Sequence, residues 1–176
     1  MSESALGRIR AFVNTRDLED GSDTIGTRAG LAAWLAGHGL GEGARVTEAD
    51  VARAAALREA LRDHLLANNG AALPPQAVEA VDRQAHRSGV RLGFGAEGAE
   101  LRVTAGGVEG SLGRLLVDVH AAMADGSWAR LKACAADDCR WAFLDGSRNG
   151  SRHWCAMGVC GNREKARRYR ARRRTS

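Results

Sequence analysis

The sequence lacks any apolar stretch long enough to cross a membrane. Nowhere in its 176 residues do about 18 apolar residues follow one another, which is the minimum for a spanning helix. The first ten residues include Arg8 and Arg10, where a signal peptide would need an apolar segment. We therefore expect a soluble, cytoplasmic protein with no membrane partner.

Recognisable catalytic motifs are also missing from the first three quarters of the chain. Residues 1–127 contain no Gly-rich phosphate loop, no nucleophile elbow and no histidine pair at metal-ligand spacing. His38 lies on the apolar face of a predicted helix, and His64, His86 and His120 lie on separate predicted helices, so we interpret all four as packing or surface residues. Nothing in this region specifies a reaction.

Cysteine is absent from the first 133 residues, and the charge balance changes in the same part of the chain. Residues 1–127 carry 13 Lys and Arg against 17 Asp and Glu, whereas residues 128–176 carry 13 against 4. Three of the four tryptophans also lie in the basic part. We therefore expect two domains, an acidic body over residues 1–127 and a basic module over residues 128–176.

The spacing of apolar residues predicts a mainly helical body with one small antiparallel sheet. Helices are expected over 5–14, from Thr27 to about Gly39, from a capping box at 47–50 to about Ala67, from Pro74 to before Gly89, and onward from Ser111, with a short helical run over 128–133. Alternation over 90–94 and 101–103, around a turn at 95–98, predicts a β-hairpin. The expected class is α+β.

The helical pattern also predicts which side chains face solvent and which face the core. On the helix after Thr47, Glu59, Arg62 and Asp63 are expected to be solvated. Val78, Val81 and Ala85 are expected to point inward, as are Leu112, Leu115, Leu116, Val119 and Met123.

The four cysteines form two equal Cys-x4-Cys pairs, Cys134 with Cys139 and Cys155 with Cys160, separated by 15 residues. In a reducing compartment such a cluster favours a metal over disulfides, and four thiolates in a tetrahedron suit one structural Zn²⁺. An iron–sulfur cluster, a redox pair and chance spacing remain alternatives. Four protein ligands would leave no position for a water molecule, so we predict that the protein is not an enzyme.

The residues around the cysteines suggest a zinc-anchored module. Alternation at 141–144 predicts a strand, 146–150 a turn, and His153–Trp154 a return toward the metal; strong helix formers occupy 163–174. This is the layout of a treble-clef zinc finger, in which Trp141 and Trp154 cover the metal. A module of this size needs metal binding for much of its folding free energy.

The run FLDGSRNGSRHWCAMGVCGNREKAR, from Phe143 to Arg167, resembles the signature of the CGNR zinc finger, which is named after the tetrapeptide at 160–163. The body resembles the ABATE domain that precedes this finger in bacterial proteins, through Phe12-Val-Asn-Thr15, Trp34-Leu35 and Leu57-Arg58-Glu59. This resemblance implies an ABATE-like domain followed by a treble-clef finger, and a stress-induced transcription regulator.

An arginine-rich segment follows the last cysteine and favours nucleic-acid binding. Cations that reach phosphates release counterions, and arginine suits bidentate contacts to phosphate or guanine. We expect the contacts to come from Arg148, Arg152, Arg163, Lys165, Arg167, Arg168, Arg170 and Arg172. DNA is favoured over RNA; a solvated tail and a protein-binding module are alternatives. Arg163 has an alternative role in bracing the module through backbone carbonyls. The body is expected to sense a small-molecule effector, to dimerise or to recruit a protein partner.

Overall fold

The computed structural model describes residues 4–41, 45–96 and 98–174, so residue 97 of the predicted turn lies outside the described residues. The elements in chain order are α1 (Ala5–Val13), α2 (Arg28–Gly37), α3 (Glu48–Ala67), α4 (Pro75–Arg87), β1 (Val90–Gly95), β2 (Gly98–Val103), α5 (Gly107–Ala124), β3 (Leu131–Ala133), β4 (Ala142–Leu144) and α6 (Asn162–Arg174). The predicted α+β class is confirmed. No helix in the described ranges is long and apolar enough to span a bilayer.

Local capping explains the helix starts that the sequence predicted correctly. The Thr27 hydroxyl accepts a hydrogen bond from the Gly30 amide at 3.1 Å, at the start of α2. In α3 the Thr47 side chain and the Asp50 carboxylate exchange hydrogen bonds with each other's backbone amides, which is the predicted capping box. These bonds satisfy amides that a helix start otherwise leaves without a partner.

The main core lies between α1, α2, α3 and α5 and continues into the basic module. Leu31, Leu57, Leu61 and Leu112 are almost completely buried in it. The same cluster contains Trp128, Leu131, Ala133 and Ala142. A second, smaller cluster comprises Cys134, Ala136, Cys139, Phe143 and Cys160. The domain boundary after residue 127 stays a prediction, and apolar packing extends across it.

The prediction that Arg62 is solvated is wrong, because α3 buries two arginines. Arg58 and Arg62 are each 2% exposed. Arg58 forms a two-point ion pair with the Asp23 carboxylate at 2.8 and 3.0 Å, and Glu59 accepts a hydrogen bond from each arginine. Arg62 also donates to the carbonyls of residues 13, 16 and 140. These partners, distant in sequence, satisfy the buried guanidinium groups.

Three predictions for α4 and α5 are also wrong. Val78 and Met123 are exposed, whereas Gln84 is buried and donates to Glu109 at 2.7 Å. Ser111 does not cap α5, which begins four residues earlier at Gly107. The Ser111 hydroxyl lies within the helix and is buried. It donates to the carbonyl of Leu40, 71 residues away in sequence, at 2.7 Å instead of capping the helix.

The region around the first cysteine pair differs from the prediction in one element. Residues 127–130 form one short 3₁₀ turn, and 131–133 form β3 rather than a helix. β4 pairs antiparallel with β3, with Leu131 opposite Leu144. Residues 153–154 return to the loop between these strands, where the Ala135 amide donates to the His153 carbonyl at 2.9 Å. The hairpin therefore encloses the first cysteine pair.

Candidate metal centre and basic helix

The first cysteine pair lies on a tight loop between β3 and β4. The Cys134 amide donates to the Trp141 carbonyl at 2.9 Å, and the Cys139 amide donates to the Ala136 carbonyl at 3.0 Å. Arg140 has φ +49°, a left-handed conformation that lets the chain reverse directly after Cys139. Its carbonyl accepts a hydrogen bond from buried Arg62 at 2.9 Å, so α3 holds this turn in place.

The second cysteine pair precedes α6. Residues 157–161 form a wide π-type turn that continues directly into the helix. Cys160 is buried on this turn, and Cys155 is half-buried just before it. The Gly161 amide closes the turn by donating to the Ala156 carbonyl at 3.2 Å. The last ligand therefore lies at the N-terminal end of the basic helix.

The four sulfur atoms have the spacing of a tetrahedral thiolate site. All four Sγ atoms lie within 4.8 Å of one another, with Cys139 to Cys155 at 3.6 Å and Cys155 to Cys160 at 3.7 Å. A Zn–S bond of about 2.3 Å gives a tetrahedron with edges of roughly 3.8 Å, whereas a disulfide would need about 2.05 Å. The residues present therefore fit one structural Zn²⁺, as predicted. Trp141 and Trp154 pack against this cluster, also as predicted.

The surroundings of the thiols favour a bound cation. Burial raises the pKa of Cys139, and it raises the pKa of Cys155 to about 12. Buried thiolates without a counter-charge are costly, so a divalent ion that binds them directly stabilises the folded module. The four cysteine ligands complete a tetrahedron and leave no position for a metal-bound water.

Arg163, the last residue of the CGNR tetrapeptide, contacts the metal centre itself. Its Nη2 lies 3.4 Å from the Cys160 sulfur and 2.7 Å from the Glu19 carboxylate, and its Nη1 lies 3.6 Å from the Asp138 carboxylate. Burial alone would raise the pKa of Cys160, but the Arg163 hydrogen bond and the neighbouring thiols lower it. Arg163 therefore supports the thiolate form of a ligand. The bracing role was expected to act through backbone carbonyls, whereas the partners of Arg163 are a sulfur and two carboxylates.

A buried ion pair organises the loop between β4 and Cys155. Lys132 and Asp145 are 5% and 1% exposed, and Lys132 Nζ lies 2.9 Å from the Asp145 carboxylate. Asp145 also accepts from the Ser147 amide and hydroxyl and from the Arg152 amide. Burial alone would raise the pKa of Asp145, but hydrogen bonds from Ser147 and Lys132 and from the two amides lower it well below its usual range. This network gives Asp145 and Ser147, in the Asp-Gly-Ser segment of the signature, a structural role.

The side-chain amides of three asparagines in the body bind the backbone of five residues in the module. Asn14 donates to the Ala142 carbonyl at 2.9 Å and accepts from its amide at 2.7 Å. Asn68 donates to the carbonyls of residues 128 and 131, and Asn69 donates to those of 133 and 153. The sequence analysis missed these roles, although Asn14 belongs to the quoted Phe-Val-Asn-Thr motif and Asn68-Asn69 ends α3.

The predicted nucleic-acid contacts fall into two groups. Arg152 donates to the Cys155 carbonyl at 2.6 Å, and Arg163 and Arg167 form ion pairs with Asp138 at 3.6 and 3.3 Å. These three therefore have partners within the chain. Arg148, Lys165, Arg170 and Arg172 are exposed; of these, Arg170 donates to the Ala166 carbonyl at 3.3 Å and Arg172 also has a partner within the chain. The side chain of Arg168 lies outside the described part of the chain.

The two faces of α6 differ in their surroundings. At 100° per residue, positions 163, 167 and 170 share one face, and positions 165, 169 and 172 share the opposite face. The first face lies against the loop of the first cysteine pair, because Arg163 and Arg167 form ion pairs with Asp138 on that loop. Tyr169, on the second face, is 62% exposed. We call the face formed by Lys165, Tyr169 and Arg172 the outer face of α6.

Comparison with family models agrees with this architecture. Residues 9–137 match the ABATE family, described as "Putative stress-induced transcription regulator". The chain belongs to the ABATE family. Residues 130–173 match the CGNR zinc finger, so the two matches overlap over β3 and the first cysteine. No curated protein matches the chain significantly. This ABATE protein is thus a zinc-binding member of a regulator family, and neither matching family is an enzyme family.

Proposed function

We propose that this ABATE protein is a DNA-binding transcription regulator, and that the outer face of α6 makes the main contact with the duplex. The observation that carries the proposal is the charge of the helix. Residues 162–174 contain eight Lys and Arg and one Glu. A helix of this length fits the major groove, where arginine and lysine contact both phosphates and guanine edges.

The finger is proposed to be a treble clef whose metal fixes the start of this helix. Cys160 holds the N-terminal end, and Arg163 and Arg167 turn one face toward Asp138. The outer face therefore points away from the protein, with Lys165 and Tyr169 exposed. A reduced thiolate site also fits the cytoplasm, where we place the protein. With its tetrahedron closed by four cysteines, the metal is assigned a structural rather than a catalytic role.

The proposal is tested by the salt dependence of binding to a mixed-sequence DNA duplex, measured by fluorescence anisotropy. The affinity of the wild-type protein should fall steeply with salt. The double variant Lys165→Gln, Arg172→Gln should bind more weakly at every salt concentration and reduce the log–log slope by about 2. Its matched control, Arg87→Gln with Arg91→Gln, removes two exposed charges from the body and should change neither quantity. A flat salt response of the wild-type protein would contradict the proposal.

RNA binding is the second candidate, and the exposed Tyr169 favours it. An aromatic ring beside arginines can stack on unpaired bases, which is a common mode of single-stranded RNA recognition. The Arg173 guanidinium lies 5.8 Å from the centre of the Tyr169 ring. Competition between single-stranded RNA and duplex DNA decides between the two. Under the RNA alternative, Tyr169→Ala should weaken RNA binding far more than DNA binding.

A further inference from the structure

A groove lies between the N-terminal half of α1 and the loop that follows β4. It consists of two adjoining cavities of about 460 and 250 Å³, which share Leu6 and Leu144 in their walls. The side chains that matter here are Leu6, Arg10, Arg130, Leu131, Leu144 and Arg148. One wall therefore belongs to the body and the other to the zinc module.

The floor of the groove is apolar. Leu131 is fully buried, Leu6 packs against the main core, and Leu144 at the edge is 45% exposed. An exposed leucine above a buried one offers contact to the apolar part of a ligand. These side chains alone do not identify an occupant.

The cations at the rim identify the class of occupant. The side chains of Arg10 and Arg148 are exposed, and neither forms a hydrogen bond or ion pair with a residue in the described ranges. The one carboxylate in the lining, Asp145, already accepts from Lys132, Ser147 and Arg152. Within the described residues, the groove therefore combines an apolar floor with two arginine side chains that no carboxylate pairs with.

Several other arginines of the body pair with carboxylates. Arg8 pairs with Asp118 at 2.7 Å, Arg53 with Asp50 at 2.5 Å, and Arg28 with Glu48 at 3.0 Å. At the groove, two arginines without such partners flank one apolar surface. Charge complementarity thus calls for an anionic group at the rim, and the leucines call for an apolar group beside it.

We propose that this groove binds a small amphipathic anion, namely a carboxylate or sulfonate attached to an aliphatic or aromatic group. Its apolar part would lie on Leu6 and Leu144, and its acid group would lie between Arg10 and Arg148. The larger cavity has the volume of an ordinary small-molecule site, roughly 300–1,000 Å³. A bound ligand would contact both α1 and the Asp145 loop, which makes the groove a site for the effector expected at the body.

The test uses 8-anilinonaphthalene-1-sulfonate, an aromatic anion whose fluorescence rises in an apolar site, and its uncharged analogue N-phenyl-1-naphthylamine. The zinc-loaded wild-type protein should bind one molecule of the sulfonate per chain, and octanoate should displace it. The double variant Arg10→Gln, Arg148→Gln should weaken sulfonate binding by about tenfold and leave the affinity for the neutral probe unchanged. Leu144→Gln should weaken the binding of both probes.

Arg87→Gln with Arg91→Gln is the matched control, because it removes two exposed charges away from the groove and should change neither affinity. Arg10 and Arg148 form no side-chain hydrogen bond or ion pair within the described ranges, so their replacement should leave the circular-dichroism spectrum unchanged. The proposal is overturned if the wild-type protein does not bind the sulfonate, or if the Arg10 and Arg148 variant binds it as tightly. It is also overturned if that variant loses affinity for both probes equally, since charge would then not be the recognition element.

Discussion

Replacing Asp145 with asparagine is expected to destabilise the zinc module strongly, because four donors converge on this one buried carboxylate. One oxygen accepts from the Ser147 amide and hydroxyl, at 2.9 and 2.6 Å, and the other accepts from Lys132 and the Arg152 amide, both at 2.9 Å. An asparagine offers one acceptor oxygen, and its NH₂ group would face two further donors. Lys132 would also lose its counter-ion.

The magnitude follows from the burial of the pair. Breaking a buried ion pair by removing one partner costs roughly 3–5 kcal/mol. The cost for Asp145→Asn should lie near the lower end, because Lys132 keeps the carbonyls of Gly150 and Arg152 as acceptors. For a protein of this size, about 3 kcal/mol corresponds to a fall in Tm of roughly 6–12 °C.

The assay is unfolding in urea and by heat, followed by tryptophan fluorescence at a fixed free zinc concentration. Asp137→Asn is the matched control, because it makes the same chemical change in the same module at a carboxylate that is 83% exposed and pairs with Arg140 at 3.4 Å. That variant should stay within about 0.5 kcal/mol of the wild-type protein. A cost below about 1 kcal/mol for Asp145→Asn would refute the reasoning.

The pH dependence provides a second readout of the same carboxylate. The folded-state pKa of Asp145 lies well below the usual value for an aspartate, about 3.9. A depressed carboxyl pKa contributes stability that is present above the unfolded pKa and is lost as the pH falls toward the folded value. The wild-type protein should therefore lose stability below about pH 4. The difference in stability between it and Asp145→Asn should shrink there, and a constant difference would contradict this assignment.

Three further outcomes are expected. Arg62→Ala should destabilise the protein by about 3–5 kcal/mol in urea unfolding. The change removes the donor to three backbone carbonyls and leaves Glu59 paired with Arg58 alone. The control Arg83→Ala, at an exposed ion pair, should cost less than about 1 kcal/mol. Glu19→Gln should tighten DNA binding a few-fold, because it removes the carboxylate that lies 2.7 Å from Arg163 at the start of α6. Asp20→Asn in the same loop, which bonds only Ser22 in the described structure, should not; equal effects would point to general charge. Removing zinc with a chelator should red-shift the fluorescence of Trp141 and Trp154, because both side chains pack against the cysteine cluster. Helices α1 to α5 should keep their circular-dichroism signal, because their core is a separate cluster. Loss of all helical signal would show that the main core depends on the metal.

Features fixed by neighbouring residues could be predicted from the sequence. The capping box at Thr47 and Asp50 involves residues three apart, so the start of α3 was evident. The cysteine spacing indicated the metal in the same way, because each pair lies on one short turn.

Features that depend on distant partners could not be predicted. The helical pattern of α3 places Arg62 on the polar face, where a charged side chain is expected to be solvated. Its burial depends on carbonyls that lie 46 to 78 residues away in sequence. The sequence of β3 predicts a helical run, and its strand conformation depends on pairing with β4. The pairing of Arg163 and Arg167 with Asp138 was likewise not evident from composition, and it leaves the outer face of α6 exposed.

The closed four-thiolate zinc site is tested most directly by X-ray absorption at the zinc edge of the purified protein, together with its metal content. We expect one zinc per chain with four sulfur neighbours at about 2.3 Å and no coordinated nitrogen or oxygen. Absence of zinc would contradict this assignment, and so would three sulfurs and one oxygen, which would leave the open position that a catalytic zinc requires.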